Sequence, residues 1–277
     1  MLGKLFAHEM RSLWKPAAIM LAVMVAAGIA GIAAFGSAMA VSDAAGYGSG
    51  YVTGAALAAN ATVVLFLGAL FCGFLVWAAI AALYLFVVMR FYRTMFTDEG
   101  YLTLTLPVRA GTLVMAKFWA AYLLLTVFAF TAMGLYAAMV AVVGGGDMEA
   151  VAGVLSLTAG WFAFTLDGGA AGLLLAFVNT LITCAYALGL AFASLTLGAW
   201  WAHRHKVAAA VGIYLGFSWV VSFLFSAASV LAMTGNTGSW NAMLGAVSLV
   251  QLMVNIGVIV GSLALSAHLV RTKVDLS

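Results

Sequence analysis

Residues 57–93 read LAANATVVLFLGALFCGFLVWAAIAALYLFVVMRFYR, and from Leu57 to Met89 they contain no Asp, Glu, Lys or Arg; Arg90 and Arg93 then close the run. A helix that crosses a hydrocarbon core of ~30 Å needs ~20 mostly apolar residues, and this stretch exceeds that length. Its apolar character is continuous. A strand of a membrane barrel would instead alternate apolar and polar positions.

Similar charge-free runs recur along the chain, near 17–41, 118–143, 169–200, 207–233 and 244–270. Together with 57–89 they predict an all-α membrane protein with six transmembrane helices in one domain. The composition agrees: 66% of residues are hydrophobic and 7% charged, and mean hydropathy is +1.19. Soluble domains carry about 25% charged residues.

The charges between the runs set the orientation. Lys4, Arg11 and Lys15 precede the first span, and Arg90, Arg93, Arg109 and Lys117 lie between the second and third. Arg204 and Lys206 join the fourth to the fifth, and Arg271 and Lys273 follow the sixth, which accounts for all 11 Lys and Arg. The opposite loops hold acids only, Asp43, Asp147, Glu149 and Asp167. Basic residues collect on the cytoplasmic side, so both termini and the 90–117 loop are expected in the cytoplasm, with the chain in a bacterial cytoplasmic membrane. The net charge of +3 follows from this sorting and carries no nucleic-acid signature. Ala38-Met39-Ala40 resembles a signal-cleavage site, but the apolar run before it is longer than the 7–15 residues of a signal core, so a retained span is expected.

Several chemistries lack their residues. The spans as read hold no ionisable carboxylate or amine of the kind proton-driven transporters place in the membrane. No Gly-x-x-x-x-Gly-Lys-Ser/Thr loop is present, so the chain is not expected to be an enzyme and any ATP hydrolysis belongs to another subunit. Cys72 and Cys184 fall within spans and suggest no disulfide or metal site. The neutral polar pairs Asn179/Thr183, Ser218/Ser222 and Gln251/Asn255 each sit four apart on one helical face. Two readings stay open for them: hydrogen bonding between helices, or a translocation path. Gly212-x-x-x-Gly216 and Gly257-x-x-x-Gly261 suit close approach of helices.

Two segments outside the spans are amphipathic. In residues 1–16, Leu2, Leu5, Phe6, Met10, Leu13 and Trp14 share one helical face, and Lys4, His8, Arg11, Ser12 and Lys15 the other. Such a helix is expected to lie along the inner leaflet, with Pro16 breaking it from the first span. Glu9 falls in the apolar arc, where a lone carboxylate is costly, so it is expected to pair with a basic residue of the 90–117 loop. In that loop Arg93, Phe96, Asp98, Glu99 and Tyr101 mix charge with aromatics. Gly100 permits a helix to end, and Leu106-Pro107-Val108 predicts an extended turn before a helix that leads through Lys117 into the third span.

The run from Phe96 through Asp98, Glu99, Tyr101, Leu104 and Pro107 to Lys117, with the start Leu2-Gly-Lys-Leu-Phe-Ala-His-Glu9, resembles the permease subunits of type-2 ABC exporters of the Gram-positive kind. The resemblance extends over the whole chain in layout and is motif-specific over the loop and the start. It implies that the N-terminal amphipathic helix is a connecting helix and that the loop between spans two and three carries a coupling helix. That helix would dock on a separate cytoplasmic ATPase subunit holding ATP and Mg, with a second permease, identical or paralogous, completing the path. On this resemblance Arg93, Phe96, Asp98, Glu99, Tyr101 and Leu104 are the expected ATPase contacts, and Glu9, Pro107 and Lys117 are motif residues. The fifth-to-sixth loop, Thr234–Met243, is shorter than the family pattern and lacks its re-entrant helices. A second function class also fits the residues: a membrane interaction or immunity protein that transports nothing.

Overall fold

Apolar runs of this length satisfy every backbone hydrogen bond internally by coiling, the only solution open to a single segment without water. The computed structural model describes residues 2–47, 52–96, 110–143, 170–201, 206–235 and 240–272, and all of them are helical. The six helices are α1 (Leu2–Tyr47), α2 (Val52–Phe96), α3 (Ala110–Val143), α4 (Ala170–Trp201), α5 (Lys206–Gly235) and α6 (Trp240–Thr272). Five of them are long and apolar enough to cross a membrane, and α6 contributes a shorter apolar stretch, Val250–Ser266.

The helices outrun the sequence-based boundaries, and in two places they correct them. Pro16 lies inside α1, which continues without a break from the amphipathic segment through Ala38-Met39-Ala40. The proline forfeits one hydrogen bond, to the Ser12 carbonyl, at about 3 kcal/mol. Leu13 and Ala17, on either side of it, are buried in the same cluster as Val87 and Phe91 and hold the helix across it. The second correction concerns the start of the 90–117 loop, whose residues through Phe96 are the last turns of α2; the helix expected to lead through Lys117 into the third span is there, as the first turns of α3 from Ala110. What separates the two helices is thus no more than residues 97–109, which lie outside the described residues.

Neighbouring helices run up and down. Phe35 of α1 meets Phe66 of α2 with ring centroids 5.8 Å apart, while Glu9 and Arg90 meet at the other end, so α1 and α2 are antiparallel. Phe118 of α3 packs edge-on against Phe192 of α4 and Phe130 against Phe177, which makes those two antiparallel as well. α4 also packs against α5 and α6. Much of α3 and α4 is buried and almost none of α5, so α3 and α4 form the centre and α5 the outside. Trp219 of α5 is 81% exposed, with Phe223 and Leu215 also exposed. This is the distribution of a helix that meets lipid rather than water.

Close approach falls elsewhere than at the Gly-x-x-x-Gly pairs. Among the described residues, nothing comes within 4 Å of where a side chain would stand at positions 212, 216, 257 and 261. At Gly198, by contrast, an added Cβ would come 2.6 Å from the backbone nitrogen of Ala210, so α4 and α5 touch main chain to main chain. At Gly189 it would meet the Ser262 hydroxyl of α6 at 2.6 Å, and at Gly31 the Cys72 side chain at 2.9 Å. We expect Gly198→Ala to destabilise the fold by about 1–3 kcal/mol, because the clash is with backbone, and Gly212→Ala to change it little. Thermal unfolding of the two variants in the same detergent checks this.

Candidate functional site

Three helix ends meet where the chain is most basic: the N-terminal turns of α1, the last turns of α2 and the first turns of α3. Glu9 sits one turn before Leu13, whose burial turns that face of α1 inward, so its carboxylate points at the junction. Its Oε1 is 2.5 Å from Lys117 Nζ, and the Lys117 and Glu9 side chains are 7% and 18% exposed. Lys117 Nζ also donates to Thr94 Oγ1 at 3.0 Å. Thr94 in turn donates to the Arg90 carbonyl one turn earlier, at 2.9 Å, a local bond that fixes its rotamer.

Arg90 closes the ring from the other side. Its Nη2 donates to Ser12 Oγ at 2.5 Å, and Ser12 Oγ donates to the Glu9 carbonyl at 2.8 Å. Arg90 Nε lies 3.9 Å from Glu9 Oε2, an ion pair by charge but too long for a hydrogen bond. Among the described residues, that nitrogen is buried without a hydrogen-bond partner. One carboxylate is therefore held between two cations, tightly by Lys117 and loosely by Arg90. A cavity of about 20 Å³ lies between Glu9, Arg90, Thr94 and Lys117, room for about one water.

Aromatic rings seal the cluster on its apolar side. Phe91 stacks on Phe192 of α4 with centroids 3.9 Å apart and planes 7° from parallel, and Phe118 meets Phe192 edge-on at 6.2 Å. Phe96, the final residue of α2, is buried against Phe91 at 6.0 Å. Arg93 is exposed on the same last turn. Excluding water from around the charges strengthens their attraction and raises the cost of leaving any of them alone.

The sequence-derived candidates divide between this junction and other places. Glu9, Lys117 and Phe96 are in it, with Arg93 at its rim; Asp98, Glu99, Tyr101, Leu104 and Pro107 lie outside the described residues. Asn179 and Ser218 are half-buried, Thr183 and Ser222 exposed, Gln251 half-buried and Asn255 buried. Asn255 shares its face of α6 with the buried Ser262 and Ser266, and Ser262 is the residue that meets Gly189, so this face packs on α4. Trp14, grouped by periodicity with the apolar face of the first helix, is 61% exposed. It stands at the edge of the buried arc, beyond the reach of α2 and α3.

Sequence reasoning missed one polar contact inside the bundle. Tyr84 of α2 donates to the Ala187 carbonyl of α4 at 3.2 Å, and its hydroxyl is 3.5 Å from that of Tyr214 of α5. The available signal was chemical: a tyrosine in the middle of an apolar run must find a partner for its O–H. Among the described residues, no group of three or more His, Cys, Asp or Glu could hold a metal ion.

No protein-family model, curated protein or solved structure matches this chain.

The ion cluster makes a stability forecast. Lys117→Met, which leaves Glu9 without its close partner, should cost about 3–5 kcal/mol, and Glu9→Gln should also destabilise. The Glu9→Gln/Lys117→Met double variant should recover much of that loss. A double-mutant cycle on thermal unfolding measures the coupling, and additive losses would mean that the two side chains do not act as a pair.

Proposed function

We propose that this chain is the permease subunit of an ATP-driven exporter of the type-2 ABC class, one half of a translocation path coupled to a separate cytoplasmic ATPase subunit. The observation that carries the reading is the junction of Glu9, Arg90 and Lys117, because it ties the start of α1, the end of α2 and the start of α3 into one charged knot. Residues 97–109 connect the end of α2 to the start of α3, the two helix ends held in that knot. A partner that moved this short segment would move three helices together, which is what a coupling segment between spans two and three has to do.

In this reading all six helices span the membrane, both termini and residues 97–109 are cytoplasmic, and Asp98 and Glu99 offer the acidic contacts to the ATPase. The chain supplies no nucleotide site; ATP and Mg bind the partner, and a second permease completes the path. Closure of the ATPase dimer on ATP shifts the coupling segments, and the helix packing of the two permeases changes so that the path opens to alternate faces. The continuity of α1 through Pro16 supports the reading, since a displacement at Glu9 is then carried along a rigid helix into the membrane.

The test is co-purification with a P-loop ATPase, expected to be encoded beside this chain, wild type against Asp98→Lys/Glu99→Lys. Association and membrane-dependent ATP hydrolysis are expected for the wild type, and binding weaker by about tenfold or more for the reversal, where like charges replace complementary ones. A folded wild-type protein that recruits no ATPase would overturn the exporter reading in favour of a non-transporting interaction or immunity protein.

A further inference from the structure

Two of the charges at the three-helix junction face each other without touching. Glu9 Oε2 and Arg90 Nε stand 3.9 Å apart, and among the described residues neither atom takes part in a hydrogen bond. Arg90 donates to Ser12 through Nη2, Glu9 accepts from Lys117 through Oε1, and Arg90 Nε is buried without a partner. Lys117 Nζ carries three protons. Two of them go to Glu9 Oε1 and Thr94 Oγ1, and the third has no acceptor among the described residues. Glu9, Arg90 and Lys117 border one cavity of about 20 Å³, walled on its apolar side by Leu13, Ala121 and Phe192.

Size and chemistry together select the occupant. A cavity needs ~10–15 Å³ to admit one water, and a buried water makes about three hydrogen bonds. Two donors, Arg90 Nε and Lys117 Nζ, and one acceptor, Glu9 Oε2, offer that number here. The 3.9 Å gap is too long for a direct bond, yet short enough for a single oxygen to reach both edges at about 2.8–3.0 Å. One carboxylate against two cations leaves a net charge of +1, which makes a small anion the rival occupant. A halide could accept from both nitrogens, but it has no proton for Glu9 Oε2 and would set a second negative charge beside that oxygen. Water donates there. We infer that the Glu9, Arg90 and Lys117 junction binds one ordered water, which accepts from Arg90 Nε and Lys117 Nζ and donates to Glu9 Oε2. Glu9 is then joined directly to Lys117 of α3 and through the water to Arg90 of α2. Direct closure of Arg90 on Glu9 requires the water to leave and the two groups to approach by about 1 Å. This inference rests on the geometry of the junction and not on the exporter reading.

Crystals of the full chain grown from a lipid mesophase in sodium bromide test it. The expected result is a solvent peak within about 3.2 Å of Arg90 Nε, Lys117 Nζ and Glu9 Oε2, with no bromine anomalous signal. A bromide peak at that position would overturn the proposal in favour of an anion site. It would be overturned in favour of a dry junction by a protein atom filling the gap, by Arg90 Nε in direct contact with Glu9 Oε2, or by a gap without density where waters elsewhere are resolved. Solid-state NMR of the full chain in nanodiscs, with isotopically labelled lysine, reads the same site in a bilayer. Lys117 is only 7% exposed, so bulk water does not reach it, whereas Lys15 is exposed. Polarisation from water protons should reach Lys117 Nζ as quickly as Lys15 Nζ, the Lys117 signal being assigned by its loss in Lys117→Arg. Transfer to Lys15 with none to Lys117 over the same mixing time would also overturn the proposal. Neither readout depends on whether an ATPase is recruited.

Discussion

Glu9 lies on the inward-facing side of its helix, and the structure around it is arranged to make that position tolerable. A partly buried carboxylate needs an opposite charge and a full set of donors. Lys117 supplies the charge at 2.5 Å, and Lys117 is in turn steadied by Thr94. Arg90, held by Ser12, flanks the carboxylate on its second oxygen. Each partner comes from a different helix, so the charge requirement of one residue becomes a geometric requirement on three. The stack of Phe91 on Phe192 extends the same junction to α4.

Away from this end the bundle depends on shape more than charge. In lipid the apolar side chains gain little by leaving one hydrocarbon for another, and packing decides which helices meet. Gly198 of α4 lets α5 approach to main-chain distance, and Gly28, Gly31 and Gly189 make room for side chains of neighbouring helices. Tyr84 adds one of the polar contacts deep in the bundle. The consequence is an uneven molecule, with α3 and α4 enclosed and α5 left almost bare.

The helical class and the apolar, membrane-like character of the helices were legible because each depends on composition over a long window. The pairing of Glu9 was legible for a related reason. A carboxylate in an apolar arc poses a problem whose solution must be a cation, and the nearest supply was the 90–117 stretch. The choice of Lys117 as the close partner, with Arg90 farther off, was not legible, since it depends on how α1 sits against α2 and α3. Pro16 misled because its local cost is fixed while the packing of Leu13 and Ala17 that outweighs it is not written locally. The Gly-x-x-x-Gly pairs misled because small residues permit close approach without requiring it.

By itself, then, the sequence determined that the chain is helical, that it has the apolar content of a membrane protein and that Glu9 needs a partner. These are properties of segments, set by hydrophobicity, hydrogen-bond satisfaction and charge. Only the tertiary structure decided that α1 passes through Pro16 unbroken, that α2 runs on to Phe96, that Lys117 rather than another cation closes on Glu9, and that Asn255 faces α4 while Thr183 and Ser222 face outward. Those outcomes depend on the rotation and register of one helix against the next. They arise from contacts between residues far apart in the chain, and no local pattern encodes them.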